Sequence, residues 1–163
     1  MNRIVISDTC ICLDVYNGGL LELLTALPFT FAITDFVAEE LNAPDEKCFI
    51  DSGFTLISFS PEEVIEIIRL NVVYNKPSVP DCSCVVAAKR EQAILLTGDK
   101  GLRKMAEAEQ VVFRGLLWLL DELVKYDAAP AMVIADALET IIACGSRLPQ
   151  GECERRLKTW RGE

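Results

Sequence analysis

Short apolar runs of strand length alternate with helix-length segments along these 163 residues, and this alternation points to a parallel sheet covered by helices on both faces. Residues 3–7, 29–33, 54–59, 93–97 and 111–113 read as strands. In the third, Thr55, Ile57 and Phe59 alternate against Leu56 and Ser58, the period of two that a strand requires. Residues 18–24 begin a helix that must stop before Pro28. Thr34 is a good N-cap for a helix through Leu41, which Asn42-Ala43-Pro44-Asp45 breaks. Ser60-Pro61-Glu62-Glu63 supplies a cap, a first-turn proline and an acidic first turn, so a helix runs from there to about Tyr74. Further helices are expected at 81–91, after Asp99-Lys100-Gly101 (with Leu102, Met105 and Ala106 on one face), at 116–124, 130–143 and 150–160. The expected architecture is a three-layer α/β/α domain over residues 1–126 with a central, mostly parallel sheet. The helices of residues 127–163 form a C-terminal extension packed on the same domain. There is no internal repeat and no low-complexity segment.

Composition removes several function classes. The chain has no histidine, which excludes Ser-His-Asp and Cys-His catalysis and His-containing zinc sites. Its 25 acidic and 16 basic residues give a formal charge of −9, so no general basic field attracts a polyanion. Any action on nucleic acid must rest on a metal and a local basic patch. Seven cysteines, an odd number lying mostly in apolar contexts, read as buried thiols in a reducing cytoplasm. The two Cys-x-Cys pairs have shorter spacers than zinc sites usually use, and a disulfide between them stays open. The N-terminal apolar run is short and interrupted by Asp8, unlike a signal peptide, and no window approaches the ~20 apolar residues of a membrane span.

Four carboxylates fall at the edges of these elements. Asp8 ends the run Ile4-Val5-Ile6-Ser7, Asp99 ends Leu95-Leu96-Thr97-Gly98, Asp81 opens a helix, and Glu40 lies in the helix begun by Thr34-Asp35. Each has a plain structural role available, since Asp is a preferred helix cap and Glu40 could be a solvated helix residue. In open parallel sheets, however, ligands bind beyond the carboxyl ends of the strands, where Asp8 and Asp99 both fall. Carboxylates gathered there repel one another unless a cation lies among them. Oxygen donors of this kind suit Mg²⁺ or Mn²⁺, which can activate a water for phosphodiester hydrolysis. After Asp99, Lys100, Arg103 and Lys104 could touch an RNA backbone or simply form a solvated face. Arg147, Arg155, Arg156, Lys158 and Arg161 in the tail form either a basic patch or a partner-binding surface.

The segments Ile4-Val5-Ile6-Ser7-Asp8-Thr9, Val37-Ala38-Glu39-Glu40-Leu41, Asp81 followed by Ala87-Ala88, Leu95-Leu96-Thr97-Gly98-Asp99-Lys100-Gly101-Leu102-Arg103 and Arg114-Gly115-Leu116-Leu117-Trp118 occur in the order and spacing of one family. On them, the chain resembles the PIN-domain proteins, metal-dependent ribonucleases that include the VapC-type toxins, over about residues 3–125. Its tail resembles a prokaryotic branch with a C-terminal helical extension. The resemblance implies that Asp8, Glu40, Asp81 and Asp99 are the catalytic, metal-binding acids. It gives Asp8, Asp81 and Asp99 as direct ligands, and Glu40, with Glu39 its close competitor, as a ligand through water or the base that orients the attacking water. Thr9, Thr97, Lys100 and Arg103 become substrate-side residues. It further implies Mg²⁺ or Mn²⁺ as cofactor, RNA as substrate, a cytoplasmic location, no membrane association, homodimers, and a small antitoxin if the protein is a toxin. At Cys10-Ile11-Cys12 the chain departs from the small polar or proline residues more usual there. The rival reading is a catalytically silent PIN-like binding or regulatory module. A haloacid-dehalogenase-type phosphatase would need a second Asp where Cys10 stands. A receiver domain would need paired acids near the N-terminus, and no Gly-rich phosphate loop is present.

Overall fold

A computed structural model describes residues 2–163. Five strands, β1 (Arg3–Ser7), β2 (Phe29–Thr34), β3 (Thr55–Ile57), β4 (Ile94–Leu96) and β5 (Phe113–Arg114), form one sheet in the order β3-β2-β1-β4-β5. Every ladder is parallel. The chain moves outward from β1 to β2 and β3, then returns to add β4 and β5 on the other side. The order therefore reverses between β1 and β4, and at such a switch point the two following connections diverge and leave a crevice.

The helices are α1 (Thr9–Asn17), α2 (Asp35–Glu40), α3 (Glu46–Asp51), α4 (Pro61–Tyr74), α5 (Val79–Glu91), α6 (Lys100–Ala108), α7 (Leu116–Lys125), α8 (Ala131–Ala143) and α9 (Gln150–Arg161). Two differences from the sequence reading matter for the site. Helix α1 begins directly after Asp8, whose carboxylate caps it, and residues Leu21–Ala26 form only a 3-10 turn. Helix α5 starts two residues before Asp81: Ser78 is its N-cap, Pro80 is tolerated in the first turn where no amide is needed, and Asp81 closes a capping box with Ser78. Strand β3 is also shorter than the sequence pattern suggests, three residues in place of six.

Helix α5 is the centre of the molecule. It lies against β1, β2 and β4 and is covered in turn by α2, α4 and α6. Residues 82–88 are all buried, and their small side chains (Cys82, Ser83, Cys84, Ala87, Ala88) let the neighbours close on the helix from every side. Cys12, Cys82, Cys84 and Cys153 are buried, Cys10 and Cys144 are exposed, Cys48 lies between, and all seven are free thiols. Among the described residues no helix is long and apolar enough to cross a membrane.

The segment beyond residue 126 joins the same body. Helix α8 buries Ile134, Leu138 and Ile141 against α7 and α1. Gly18, at the end of α1, has no side chain where Ile141 Cδ1 would stand 2.8 Å from a Cβ. Ser146 donates to Asp14 Oδ2 at 3.0 Å, and Arg156 grips both carboxylate oxygens of Asp121 on α7 at 2.8 Å. Leu138→Ala should therefore cost about 2–5 kcal/mol. Urea unfolding should still show a single transition by both fluorescence and circular dichroism. A separate early transition would mean that α8 and α9 fold independently of the sheet.

Candidate active site

The four acids singled out from sequence all lie at the carboxyl edge of the sheet, near enough for Asp81 and Asp99 to act on Asp8 and for Asp99 and Glu40 to act on Asp81. Three of them are held there by helix first turns. Asp8 Oδ1 accepts the Ile11 amide at 2.8 Å, and Asp99 Oδ2 accepts that of Leu102 at 2.8 Å. Asp81 Oδ2 accepts the Ser78 amide at 3.1 Å. Glu40, the last residue of α2, is held differently: its Oε1 accepts the Thr9 hydroxyl at 2.5 Å. Each contact uses one carboxylate oxygen. Asp81 Oδ1, Asp99 Oδ1 and Glu40 Oε2 take no hydrogen bond from the described residues. The capping role and a site role are thus not exclusive, because a carboxylate has two oxygens and a cap needs one.

Electrostatics shows that the acids sense one another. Asp8 is only 3% exposed, and its carboxyl is pushed from an ordinary 3.8 to about 6. Burial is the main cause, with Asp81 and Asp99 adding repulsion, while the Thr97 hydroxyl and the Ile11 amide pull the other way. Asp81 is raised as well, by burial and then by Asp99 and Glu40. Cys10 lies in the same field: the residue is exposed, but partial desolvation around its sulfur, then Asp8 and other nearby acids, push its thiol up to about 11, so it stays protonated at neutral pH. Among the described residues, no three side chains converge on one point as the caps hold them. The donor set fits a hard divalent cation in kind, since it offers carboxylate oxygens without imidazole and the cation would relieve their repulsion.

Thr97 and Arg103, expected beside a substrate, work inside the cluster. Thr97 is wholly buried, and its hydroxyl oxygen accepts the Asp99 amide at 3.1 Å. Arg103 Nε donates to the Thr97 carbonyl at 2.9 Å, and the guanidinium lies 5.3 Å from the centre of the Phe113 ring. It thereby fixes the turn that carries Asp99. Gly115 makes room for it, because a Cβ there would stand 2.5 Å from Arg103 Nη2. Lys100, at the start of α6, is exposed and without an ion pair among the described residues.

The sequence reading missed three supports. Lys76 lies beside the site, 3.7 Å by its Cβ from where a Gly101 side chain would begin. That same Cβ on Gly101 would press on Asp99 Oδ2 at 3.2 Å, so glycine keeps this rim open. The second support is a buried hydroxyl relay. The Val37 amide donates to Thr34 Oγ1 (3.1 Å), Thr34 and Ser83 share a 2.7 Å bond, and Ser83 donates to the Pro80 carbonyl (2.5 Å). It ties the helix bearing Glu40 to the helix bearing Asp81; Thr34 was legible as a cap, but nothing local marked Ser83. The third residue is Asp35, the first of α2, whose buried Oδ1 has no hydrogen-bond partner among the described residues.

An open parallel sheet with acids at its carboxyl edge belongs to a class of α/β domain in which ligands ordinarily bind beyond the strand ends. A family model described as a PIN domain (DUF3368) matches residues 4–161, and the chain belongs to that family, whose fold is of the nuclease type. The match spans the sheet and the C-terminal helices together. The crystal structure of PAE2754 from Pyrobaculum aerophilum is similar in fold, with a TM-score of 0.54 and 14% identity, covering 78% of this chain and 91% of that one. No curated protein matches the sequence.

Two outcomes follow from this geometry. Because Asp8 has a raised carboxyl pKa in the fold, its buried charge destabilises the metal-free protein above about pH 6, and the penalty fades as pH falls toward 3.8. Asp8→Asn keeps an N-cap and removes the charge. It should stabilise the metal-free chain by about 1–3 kcal/mol at pH 7.5 and by little near pH 4, read from urea midpoints at the two pH values. Gly115→Ala should destabilise by about 1–3 kcal/mol, and adding Arg103→Ala should cost less than the sum of the two changes. Strict additivity in that double-mutant cycle would show that the two positions do not touch.

Proposed function

We propose that the chain is a ribonuclease that hydrolyses phosphodiester bonds of single-stranded RNA with Mg²⁺ or Mn²⁺, acting in the cytoplasm. The observation that carries this reading is the set of mutually repelling carboxylates at the carboxyl edge of a PIN-family sheet, with Asp8 buried and Asp81 half-buried. Acids whose mutual repulsion costs folding energy at the ligand edge of an open sheet support a functional site there.

Asp8, Asp81 and Asp99 would hold the metal directly, each through the oxygen its cap does not use. When bound, the ion would lower the pKa of a coordinated water and offset the charge that develops on the leaving oxygen. Glu40, held by Thr9, offers Oε2 to orient the attacking water and receive its proton. The Asp8 carboxyl must be ionised to serve as a ligand, so below about pH 6 protons would compete with the metal for it. Lys76 and Lys100 on the rim would contact phosphate and set the strand's position. A toxin role, with a small antitoxin that covers the site, comes to this reading from the family resemblance alone. A small DNA-binding protein encoded beside this gene would support it.

The purified chain should cut single-stranded RNA only with Mg²⁺ or Mn²⁺. Asp8→Asn and Asp99→Asn should each lower the rate by about 10²-fold or more. Either metal should also raise the melting temperature more at pH 7.5 than at pH 5.5, because protons compete for Asp8 at the lower pH. A chain that binds neither metal at millimolar concentration and cuts no RNA would be a silent binding module instead.

A further inference from the structure

The C-terminal extension runs along α1 toward the acids. Two contacts fix its direction. At the C-terminal end of α1, Gly18 sits against Ile141 of α8. One turn back along α1, Asp14 Oδ2 accepts the Ser146 hydroxyl at 3.0 Å. As the chain advances from Ile141 to Ser146 it therefore moves toward the end of α1 that Asp8 caps. One further turn back, on the same face of α1 as Asp14, is Cys10. Cys10 is exposed, and its thiol lies in the field of Asp8, Asp81 and Asp99 as well as that of Asp14. One face of α1 thus joins the tail loop to the acids. The helical rise puts Asp14 about 9 Å along the axis from Asp8.

The next residue in that direction is Arg147. The chain is held on either side of it, by the Ser146 bond to Asp14 and by Leu148, which packs on the core. Its own side chain is exposed and makes no ion pair or hydrogen bond among the described residues. The arginines of α9 differ: Arg155, Arg156 and Arg161 are all paired with carboxylates. We propose that Arg147 is a substrate-positioning residue that binds a backbone phosphate of the RNA strand, on the α1 side of the acids. This deepens the ribonuclease reading and rests on it. At the stacked spacing of about 3.4 Å per nucleotide, the ~9 Å from Asp8 to Asp14 spans roughly three nucleotides, so the contact falls outside the bond being cut. A guanidinium suits the task, because its donors match phosphate oxygens in pairs and it keeps its charge at every working pH. The placement also answers the acidity of the chain. Lys100 opens α6 after Asp99, and Arg147 lies along α1 after Asp8, so a strand crossing the acids meets a cation on either side. The C-terminal extension would then serve the site as well as the core.

Steady-state cleavage of a mixed-sequence single-stranded RNA with Mg²⁺ tests this, together with fluorescence anisotropy of the same RNA on the slow Asp99→Asn chain. Arg147→Ala should raise KM and Kd by about threefold to tenfold, equally for different sequences, and leave kcat unchanged. The slope of log binding constant against log salt should fall by about 0.7, the loss of one phosphate contact on a single strand. Arg147→Lys, which keeps the charge, should keep most of the binding. Lys158→Ala removes the same charge from an exposed position of α9 and should change neither KM nor the slope. RNA cleavage that is indifferent to Arg147→Ala overturns the proposal and leaves the ribonuclease reading standing. An equal effect of Lys158→Ala also overturns it, since net charge would then be the cause. A chain that neither binds nor cuts RNA overturns both.

Discussion

The grip of helix first-turn amides on single carboxylate oxygens is the interaction on which the candidate site depends. Four acids would drift apart if each were free to follow its own solvation. Asp8, Asp81 and Asp99 instead each accept a backbone amide at 2.8–3.1 Å, in a turn whose dipole also favours a negative charge. The amides pin position while leaving an oxygen for other work. The two roles reinforce each other: a cap residue cannot move without unpairing a helix amide, so the fold's own hydrogen bonding keeps a repulsive cluster in place.

The cluster also rests on a buried polar layer that has no charge. Thr34 and Ser83 tie α2 to α5, and Thr97 passes a hydroxyl toward Asp8 while receiving the Asp99 amide. Ser7 donates to the carbonyl of Asp8 and receives the Cys12 thiol. Every one of these groups is small and fits between close-packed elements. Small hydroxyls and thiols are the side chains that can satisfy backbone groups there without opening space for water. Arg103 performs the same service at longer range, reaching across Gly115 to the Thr97 carbonyl.

What the sequence made legible follows from locality. The strand runs, the Thr34 cap and the Ser60–Glu63 start of α4 are written in adjacent residues, and the structure has a strand at each run, though the third keeps only Thr55–Ile57 and the fifth falls at Phe113–Arg114. Helix α1 was missed because Cys10-Ile11-Cys12-Leu13 is an unbroken apolar stretch with no helical period; the Asp8 cap and the packing of Ile11, Cys12 and Val15 decide it. The start of α5 was placed late because Ser78-Val79-Pro80 looks like loop until the Ser78–Asp81 box is seen in space. Spacing alone could not choose between Glu39 and Glu40. In the fold it is Glu40 that is tied to α1, through Thr9, 31 residues away in sequence.

The distribution of positive charge completes the picture of an acidic protein that would work on a polyanion. The basic tail is not an open patch. Arg156 is spent on Asp121 and Glu152, Arg155 on Glu152, and Arg161 on Asp136 and Glu139, so three of its five cations hold α9 to its neighbours or to itself. Arg90 is likewise occupied by Glu63 and the Phe59 ring. Lys76 and Lys100 are left without ion pairs among the described residues, and both lie at the rim near Asp99. In a chain of net charge −9, two free cations beside the carboxylates count for more than their number. The net charge disfavours a nucleic-acid strand at long range, and such fields are screened within about 8 Å at physiological salt. On the proposed reading, recognition would be short-ranged and confined to the edge that carries the acids, which suits a site that engages a flexible single strand rather than a surface that tracks a duplex.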